Sequence, residues 1–457
     1  MSRGIIGRGE AEAMASWLLD QATQSKEVRG ADTLYFFSES HSLSLLDGEP
    51  EENASGVSGG VSLRLIGKDG RQGVAYGNNF SKQSLENLLE WSLANMRASE
   101  PEENITLFGG PIDTDDSAME LFDDAVAGSI TQEMRLKTCL EMTDTARSRD
   151  PRVVSVRAAA WDDGSGESFY ASSAGLCGWK RSTSVSCGAT VVMQDGDSLE
   201  MGAYGKGACH LEDIKYQEYA LLAVDKTARL LGGKPLGTGK YTLILPPEIS
   251  ACLVDGIGDL FCASLIHKGH SLMKGKLGTQ IAGNAVTLTD DARIRRGAGS
   301  GAFDGEGVPT GKTVLIDSGV AANYLYNLQY AAKDGVLSTG NASRGLGSLP
   351  DVGTSNLVLS PGDSSRDALY RGAGDGFLVL ELMGLHTLNP VSGDFSLGAK
   401  GVRMRDGVLG EPVAGVTISG NLTELLQKIA AVGGDLEFFG ATGAPSIVVE
   451  DVVVAGN

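Results

Sequence analysis

Apolar and polar positions alternate along this chain in two different rhythms, and the changes between them mark its elements. Residues 10–25 carry Ala13, Met14, Trp17, Leu18 and Ala22 at helical spacing, which predicts an amphipathic opening helix. Residues 33–38 are apolar and β-prone, and the two alternating runs within 60–76 are separated by Lys68-Asp-Gly70, so a strand and a hairpin are expected there. A second helix, capped by Ser81 or Ser84, should run to about Arg97 with Leu85, Leu88, Leu89, Trp91 and Met96 on its apolar side, and Pro101 closes it. Ser129-Ile-Thr-Gln132 has capping-box spacing and predicts a helix over 130–147.

From 153 to 207 short β-prone runs alternate with Gly, Ser and Asp turns, as in an antiparallel sheet, and 213–231 returns to helical spacing. The Gly- and Pro-rich segment 232–239 precedes a fresh strand at 241–245 and is the expected domain boundary. Downstream, strands and turns dominate, with helices expected around His267, over 323–332 and over 422–432. The Gly56-Val-Ser-Gly-Gly60 run has the letters of a nucleophile elbow but leads into a strand instead of leaving one, so an entry loop is expected. The architecture predicted is an α+β protein of two domains. Residues 1–231 form an N-terminal α+β domain, and residues 232–457 form a C-terminal domain rich in antiparallel strands.

Composition narrows the function. The 457 residues carry a formal charge of −20, which opposes nucleic-acid phosphates, so no nucleic-acid partner is expected. The six cysteines contain no CxxC pair and read as reduced thiols of a cytoplasmic protein. Glu10, Glu12 and Asp20 interrupt any export signal at the start of the chain, and no apolar run approaches the roughly 18 residues of a membrane span.

Few residues offer catalytic chemistry. His267 and His270 stand where a helix meets Gly269, and residues three apart on a helix share a face and could share a metal ion. A zinc hydrolase of the HExxH kind needs a glutamate beside its first histidine, and Lys268 stands there, so the pair reads as structural or substrate-facing. Asp304 and Glu306, like Asp290 and Asp291, bring carboxylates into glycine-rich stretches that serve either a cation or turns. Arg293, Arg295 and Arg296 with Lys268, Lys274 and Lys276 form a basic stretch suited to a peptide carboxylate or to ordinary ion pairs. His386 ends a strand and could face a cleft or be a structural histidine. Gly307-Val-Pro-Thr-Gly-Lys-Thr313 lacks the first glycine of a phosphate loop, Glu306 standing there, and precedes a strand instead of a helix.

Taken in order, Gly278-Thr-Gln-Ile281, Phe303-Asp-Gly-Glu-Gly-Val-Pro-Thr310, Ser338-Thr-Gly-Asn-Ala342, Asn389-Pro-Val-Ser-Gly-Asp-Phe-Ser396, Ile418-Ser-Gly-Asn421 and Ala444-Pro-Ser-Ile447 resemble the TldD/PmbA family. Its members are called modulators of DNA gyrase and understood as metalloprotease subunits. The TldD branch carries HExxxH, whose two histidines and a late cysteine hold zinc while the glutamate acts as base. Here, with His267 as the first histidine, Lys268 replaces the glutamate and Leu272 the second histidine, and no cysteine follows Cys262. With His270 as the second histidine, Leu265 and Ile266 replace the other two.

The chain is thus similar to the PmbA/TldE branch. The resemblance implies a non-catalytic half of a cytosolic TldD/TldE assembly that cleaves unfolded peptides, with zinc in the TldD-like partner and no cofactor on this chain. Processing of a peptide-antibiotic precursor and degradation of an antitoxin are roles attached to such assemblies. His267, His270, His386, Asp304 and Glu306 are the candidate substrate-facing residues. An independent metal-dependent peptidase using His267, His270 and Asp304 or Glu306 is one alternative, and a homo-oligomeric peptide-binding protein, a homodimer in isolation, is another.

Overall fold

The computed structural model describes residues 6–384, 387, 389 and 391–456, so the candidate His386 lies outside the described residues. The first half comprises α1 (Arg8–Gln24), β1 (Val28–Leu46), β2 (Glu49–Gly67), β3 (Gln72–Gly77), α2 (Lys82–Ala98), α3 (Asp124–Gly128), α4 (Gln132–Arg149), β4 (Val153–Ser172), β5 (Cys177–Asp195), β6 (Ser198–Ala208) and α5 (Tyr216–Ala228). Its strands form one antiparallel sheet in the order β3-β2-β1-β4-β5-β6.

Local chemistry accounts for most of the boundaries. The Lys68-Asp-Gly70 hairpin is present, with Ile66 opposite Gln72. A second hairpin, unforeseen, turns at Asp47 and Gly48, whose φ values of 52° and 92° suit a two-residue turn matched to the twist of the strands. It allows β1 and β2 to run 19 residues each. Gly56–Gly60 is consequently strand, not an entry loop: Ser58 lies opposite Ser38 inside the β1–β2 ladder. Ser81 caps α2 by accepting the Ser84 N–H. The cap of α4 is Thr131, whose hydroxyl accepts the Met134 N–H at 3.2 Å, and Ser129 instead ends α3.

The pleat divides the sheet's side chains by parity. Ala31 and Tyr35 of β1, Val61, Leu63 and Leu65 of β2, and Phe169 of β4 pack under α1 and α2. Asp32, Leu34 and Phe36 therefore face the opposite side, with their cross-strand partners Arg64, Tyr170 and Ser168. Further along the sheet, Leu43 and Leu45 of β1, Val156 and Trp161 of β4 and Val191 of β5 pack against α4 and α5.

Helix α2 lies so close to β3 that a Cβ on Gly73 would come within 2.2 Å of the Met96 nitrogen and the Ser92 carbonyl oxygen. These are backbone atoms and cannot swing aside, so Gly73→Ala is expected to cost about 1–3 kcal/mol, toward the top of the range for overpacking. Urea denaturation would check this, and an unchanged midpoint would show that α2 is not held this tightly.

The second half comprises β7 (Gly239–Leu245), α6 (Pro247–Gly258), α7 (Ala263–Lys268), β8 (Leu288–Asp291), β9 (Lys312–Asp317), β10 (Val320–Ala321), α8 (Leu328–Asp334), β11 (Ala342–Ser343), β12 (Asp351–Val352), β13 (Leu357–Leu359), α9 (Arg366–Ala373), β14 (Gly376–Met383), β15 (Asp394–Arg405), β16 (Val408–Asn421), α10 (Leu422–Gln427), β17 (Ile429–Val432), β18 (Glu437–Phe439), β19 (Thr442–Ala444) and β20 (Ile447–Ala455). Two six-stranded sheets form, ordered β16-β15-β14-β7-β20-β17 and β10-β9-β8-β13-β19-β18, and β11 pairs with β12 apart from them. Most pairings are antiparallel, and β7–β14 and β13–β19 are parallel. The expected helix over 422–432 is two elements, because Ile429 to Val432 pair with β20 and that ladder outweighs a further helical turn. The helix expected over 323–332 begins only at Leu328, where the Asn327 side chain caps it.

A single core joins both sheets, with Ile249, Val254 and Ile257 of α6 packed among Leu243, Phe377 and Val449 of one and Leu288, Leu315 and Leu357 of the other. The fold is α+β, its first half a helix-covered sheet and its second half rich in antiparallel strands. No helix among the described residues is long and apolar enough to cross a membrane.

Candidate functional site: a cleft above a buried ion network

The face of the first sheet not covered by α1 and α2 meets loops of the second half across a cleft of about 660 Å³. Leu34 and Phe36 of β1, Ser58 of β2, Ser168 and Tyr170 of β4 and Lys180 of β5 form one wall. All belong to the parity that points away from the helices, and Phe36, Ser168 and Lys180 sit side by side across three strands. Gly299–Gly301, Phe303–Gly305, Thr310, Gly340–Leu346 and Gly353–Ser355 form the other wall.

Beneath the cleft lies a network of charges of which the sequence singles out only Glu306. Asp32 and Arg64 are direct cross-strand neighbours on β1 and β2, and the Arg64 Nε donates to Asp32 Oδ2 at 2.8 Å. The second half contributes Arg344, which donates to Asp32 Oδ1, and Glu306, whose Oε1 lies 3.5 Å from Arg64 Nη1. The side chains of Asp32, Arg64, Arg344 and Glu306 are all at most 4% exposed. Burial alone would raise the Asp32 carboxyl, but Arg344 and Arg64 more than reverse that and hold it below the usual carboxylate range. For Glu306 burial wins: Arg64 and the Leu328 N–H offset it only in part, and the carboxyl is pushed up to about 7.

The Phe303–Thr310 stretch shows how this wall is shaped. Asp304 Oδ1 accepts the N–H groups of Glu306 and Val308, and Oδ2 accepts that of Ala342, so the carboxylate ties the turn to β11. Glu306 Oε2 accepts the Leu328 N–H at 3.0 Å at the start of α8. Gly307 has φ 80°, and a Cβ there would meet the Tyr170 ring at 2.7 Å, so glycine is required on both counts. Asp290 is occupied similarly, accepting from Asn341 and from the Ser355 N–H and hydroxyl. Of the two readings left open for these carboxylates, the hydrogen bonds are those of turn and loop bracing.

The histidines lie elsewhere. Helix α7 ends at Gly269 in the left-handed region, with the His270 N–H returning to the Leu265 carbonyl, so His270 stands past the helix and does not share its face with His267. The His267 Nε2 is 2.8 Å from Asp334 Oδ1, its ring rests on Tyr330, and Lys268 reaches Asp351 at 3.5 Å. Neither histidine is among the residues lining the cleft, whereas Asp304 is. Among the described residues no three His, Cys, Asp or Glu side chains gather as a group that could hold a metal ion. The nearby Cys262 is buried, and that burial raises its thiol. The side chains around α7 therefore do not fit the zinc centre of the metallopeptidases this chain resembles.

The arginines of the basic stretch, like Lys268, are engaged in ion pairs. Arg293 donates to Asp113, Arg295 to Glu120, and Arg296 to Glu120 and Asp213. Asp32, Arg64 and Lys180 escaped notice because an alternating strand normally turns its charges to water, and Tyr170 and the loop residue Arg344 carried no signal of their own. The available signal was Asp32 and Arg64, each set among apolar residues of a strand, where a buried charge needs a partner.

Three stretches of the chain match profiles of the PmbA/TldA metallopeptidase family: domain 1 over residues 31–96, the central domain over 127–231 and the C-terminal domain over 238–456. A metalloprotease of Methanocaldococcus jannaschii is 29% identical over 416 residues, covering 89% of this chain and 90% of that protein. The crystal structure of a modulator of DNA gyrase from Thermotoga maritima has TM-score 0.89 and 27% identity, covering 97% of this chain and 100% of that one. The structure of TldE from Thermococcus kodakarensis, 21% identical, shares the fold at TM-score 0.86 over 98% of this chain and 100% of its own. Matched by three consecutive domains in the family's order, the chain belongs to the PmbA/TldD metallopeptidase family.

Proposed function

We propose that this chain is a PmbA/TldE-type subunit of a cytoplasmic TldD/TldE-like protease: it helps to hold unfolded peptides while a TldD-like partner carries the zinc and the general base. The observation that carries this reading is the end of α7. Lys268 stands beside His267 where a base would be needed, His267 is engaged with Asp334, and His270 lies beyond the helix. A lysine ammonium repels a zinc ion and accepts no proton, and one histidine does not retain zinc. The family membership supports work on peptides, and the likeness to TldE supports the fold such a subunit would need. We take residues 1–231 and 232–457 as its two domains, with the zinc centre belonging to the partner.

Metal analysis and a peptidase assay test this together. The purified chain is expected to carry far less than one zinc per molecule, with no change on His270→Ala, and to cleave unfolded peptide at background. Adding a TldD-like protein should raise cleavage by about 100- to 10,000-fold, the scale attached to a positioned general base. About one zinc per chain, lost on His270→Ala, would instead establish an independent peptidase. Full activity of a metal-loaded single chain would do the same.

A further inference from the structure

Among the residues lining the cleft two are cations, Arg344, which is paired with Asp32, and Lys180. Lys180 projects from β5 into the cleft with its Nζ 4.2 Å from the centre of the Phe303 ring. No carboxylate lies within ion-pair distance of it among the described residues, whereas Arg293, Arg295 and Arg296 each have one. The carboxylate among the residues lining the cleft, Asp304, already accepts three backbone N–H groups.

A second observation points the same way. The Arg344 side chain is 1% exposed and lines the cleft, yet its Nε and Nη2 have no hydrogen-bond partner, and the buried Tyr170 hydroxyl on the facing wall has none either. Unpaired donors thus lie at the base of the cleft, and leaving buried donors unpaired is costly unless an acceptor arrives. The rest of the lining mixes apolar side chains and glycines, including Leu34, Phe36, Leu346, Gly301 and Gly345, with hydroxyl and amide side chains such as Ser58, Ser168 and Asn341, which suits a peptide's side chains and the close approach of its polar backbone.

We propose that the cleft binds a carboxylate of the peptide substrate, with the Lys180 ammonium as its anchor and Arg344 and Tyr170 as donors beneath. The proposal rests on the reading of this chain as a peptide-holding subunit. A single free ammonium matches a monoanion, and a chain of formal charge −20 disfavours the closer approach of a dianion such as phosphate. Burial lowers the Lys180 ammonium to about 8, partly opposed by Asp304 and Asp116, so it remains mostly protonated at neutral pH. Phe303 under the ammonium holds it by a cation–π contact at the wall of the cleft.

The test is fluorescence anisotropy at pH 7 with the purified full chain and a rhodamine-labelled hexapeptide of alanine and leucine. Three forms are compared: the free acid, the C-terminal amide, and the amide with one internal aspartate. A charge-assisted hydrogen bond predicts that a carboxylate-bearing form binds about 10- to 100-fold more tightly than the neutral amide. The free acid or the aspartate peptide, whichever gains, identifies the source of the carboxylate. Lys180→Met should bring that ratio close to one and Lys180→Arg should retain most of it, with far-UV circular dichroism checking that both variants fold. The general charge of the protein works against the acid, so preference for it is diagnostic. Equal wild-type affinities for all three peptides, or a ratio unchanged in Lys180→Met, overturn the anchor but leave the peptide-holding reading standing. Failure of the wild type to bind any of them, alone or with a TldD-like protein, removes both.

Discussion

Replacing Asp32 with alanine should destabilise the protein by about 3–5 kcal/mol, the cost of stripping the counter-charge from a buried ionic group. Asp32 is fully buried and serves two arginines at once, Arg64 from the neighbouring strand and Arg344 from the second half of the chain. Without it, both guanidinium groups stay in a water-poor interior with only Glu306 as anion, and that contact is long at 3.5 Å. Charge is the cause, so Asp32→Asn, which preserves shape, should also lose most of this stability. Urea denaturation monitored by circular dichroism gives the answer. A loss below about 1 kcal/mol would place the pair among weak surface bridges and refute the account.

Glu306 should make stability fall as pH rises. Its carboxyl is displaced by burial from an ordinary 4.5 to about 7, so the folded state binds this proton more tightly than the unfolded chain. The contribution is fully present below about pH 4.5 and is lost as pH climbs through about 7, when a charge forms in the interior. At 1.36 kcal/mol per pKa unit the difference amounts to about 3 kcal/mol. Glu306→Gln removes that titration while keeping an oxygen for the Leu328 N–H. Between pH 4.5 and 8 the wild type should therefore lose about 3 kcal/mol more than the variant does. Parallel pH profiles would mean that Glu306 is already charged without penalty. Asp304 is raised by burial as well, in both proteins alike, so the comparison isolates Glu306.

Asp32 and Arg64 also show why part of the site escaped a reading of the chain. Alternation in β1 and β2 is visible in the residues, and it correctly separates Ala31, Tyr35, Leu63 and Leu65 from Asp32 and Arg64. It says nothing about what covers the second face. A charged parity ordinarily means water, and here it means Glu306 and Arg344, 242 residues from Arg64 and 312 from Asp32. His267 and His270 fail in the opposite direction. Their spacing suggested a shared face, but the left-handed Gly269 between them ends the helix before the second can join it.

The amino-acid sequence alone settles the elements whose causes are local. The Asp69-Gly70 turn, the Ser81 cap and the apolar stripe of α2 each depend on residues within a few positions, and the ordered family blocks carry the fold with them. Tertiary structure alone decided which charges are buried and which cation opens onto the cleft. Desolvation and pairing depend on what packs above a group, and in this protein that comes from the far half of the chain. Lys180 and Arg181 are adjacent in sequence, yet Lys180 opens onto the cleft and Arg181 lies over Phe122.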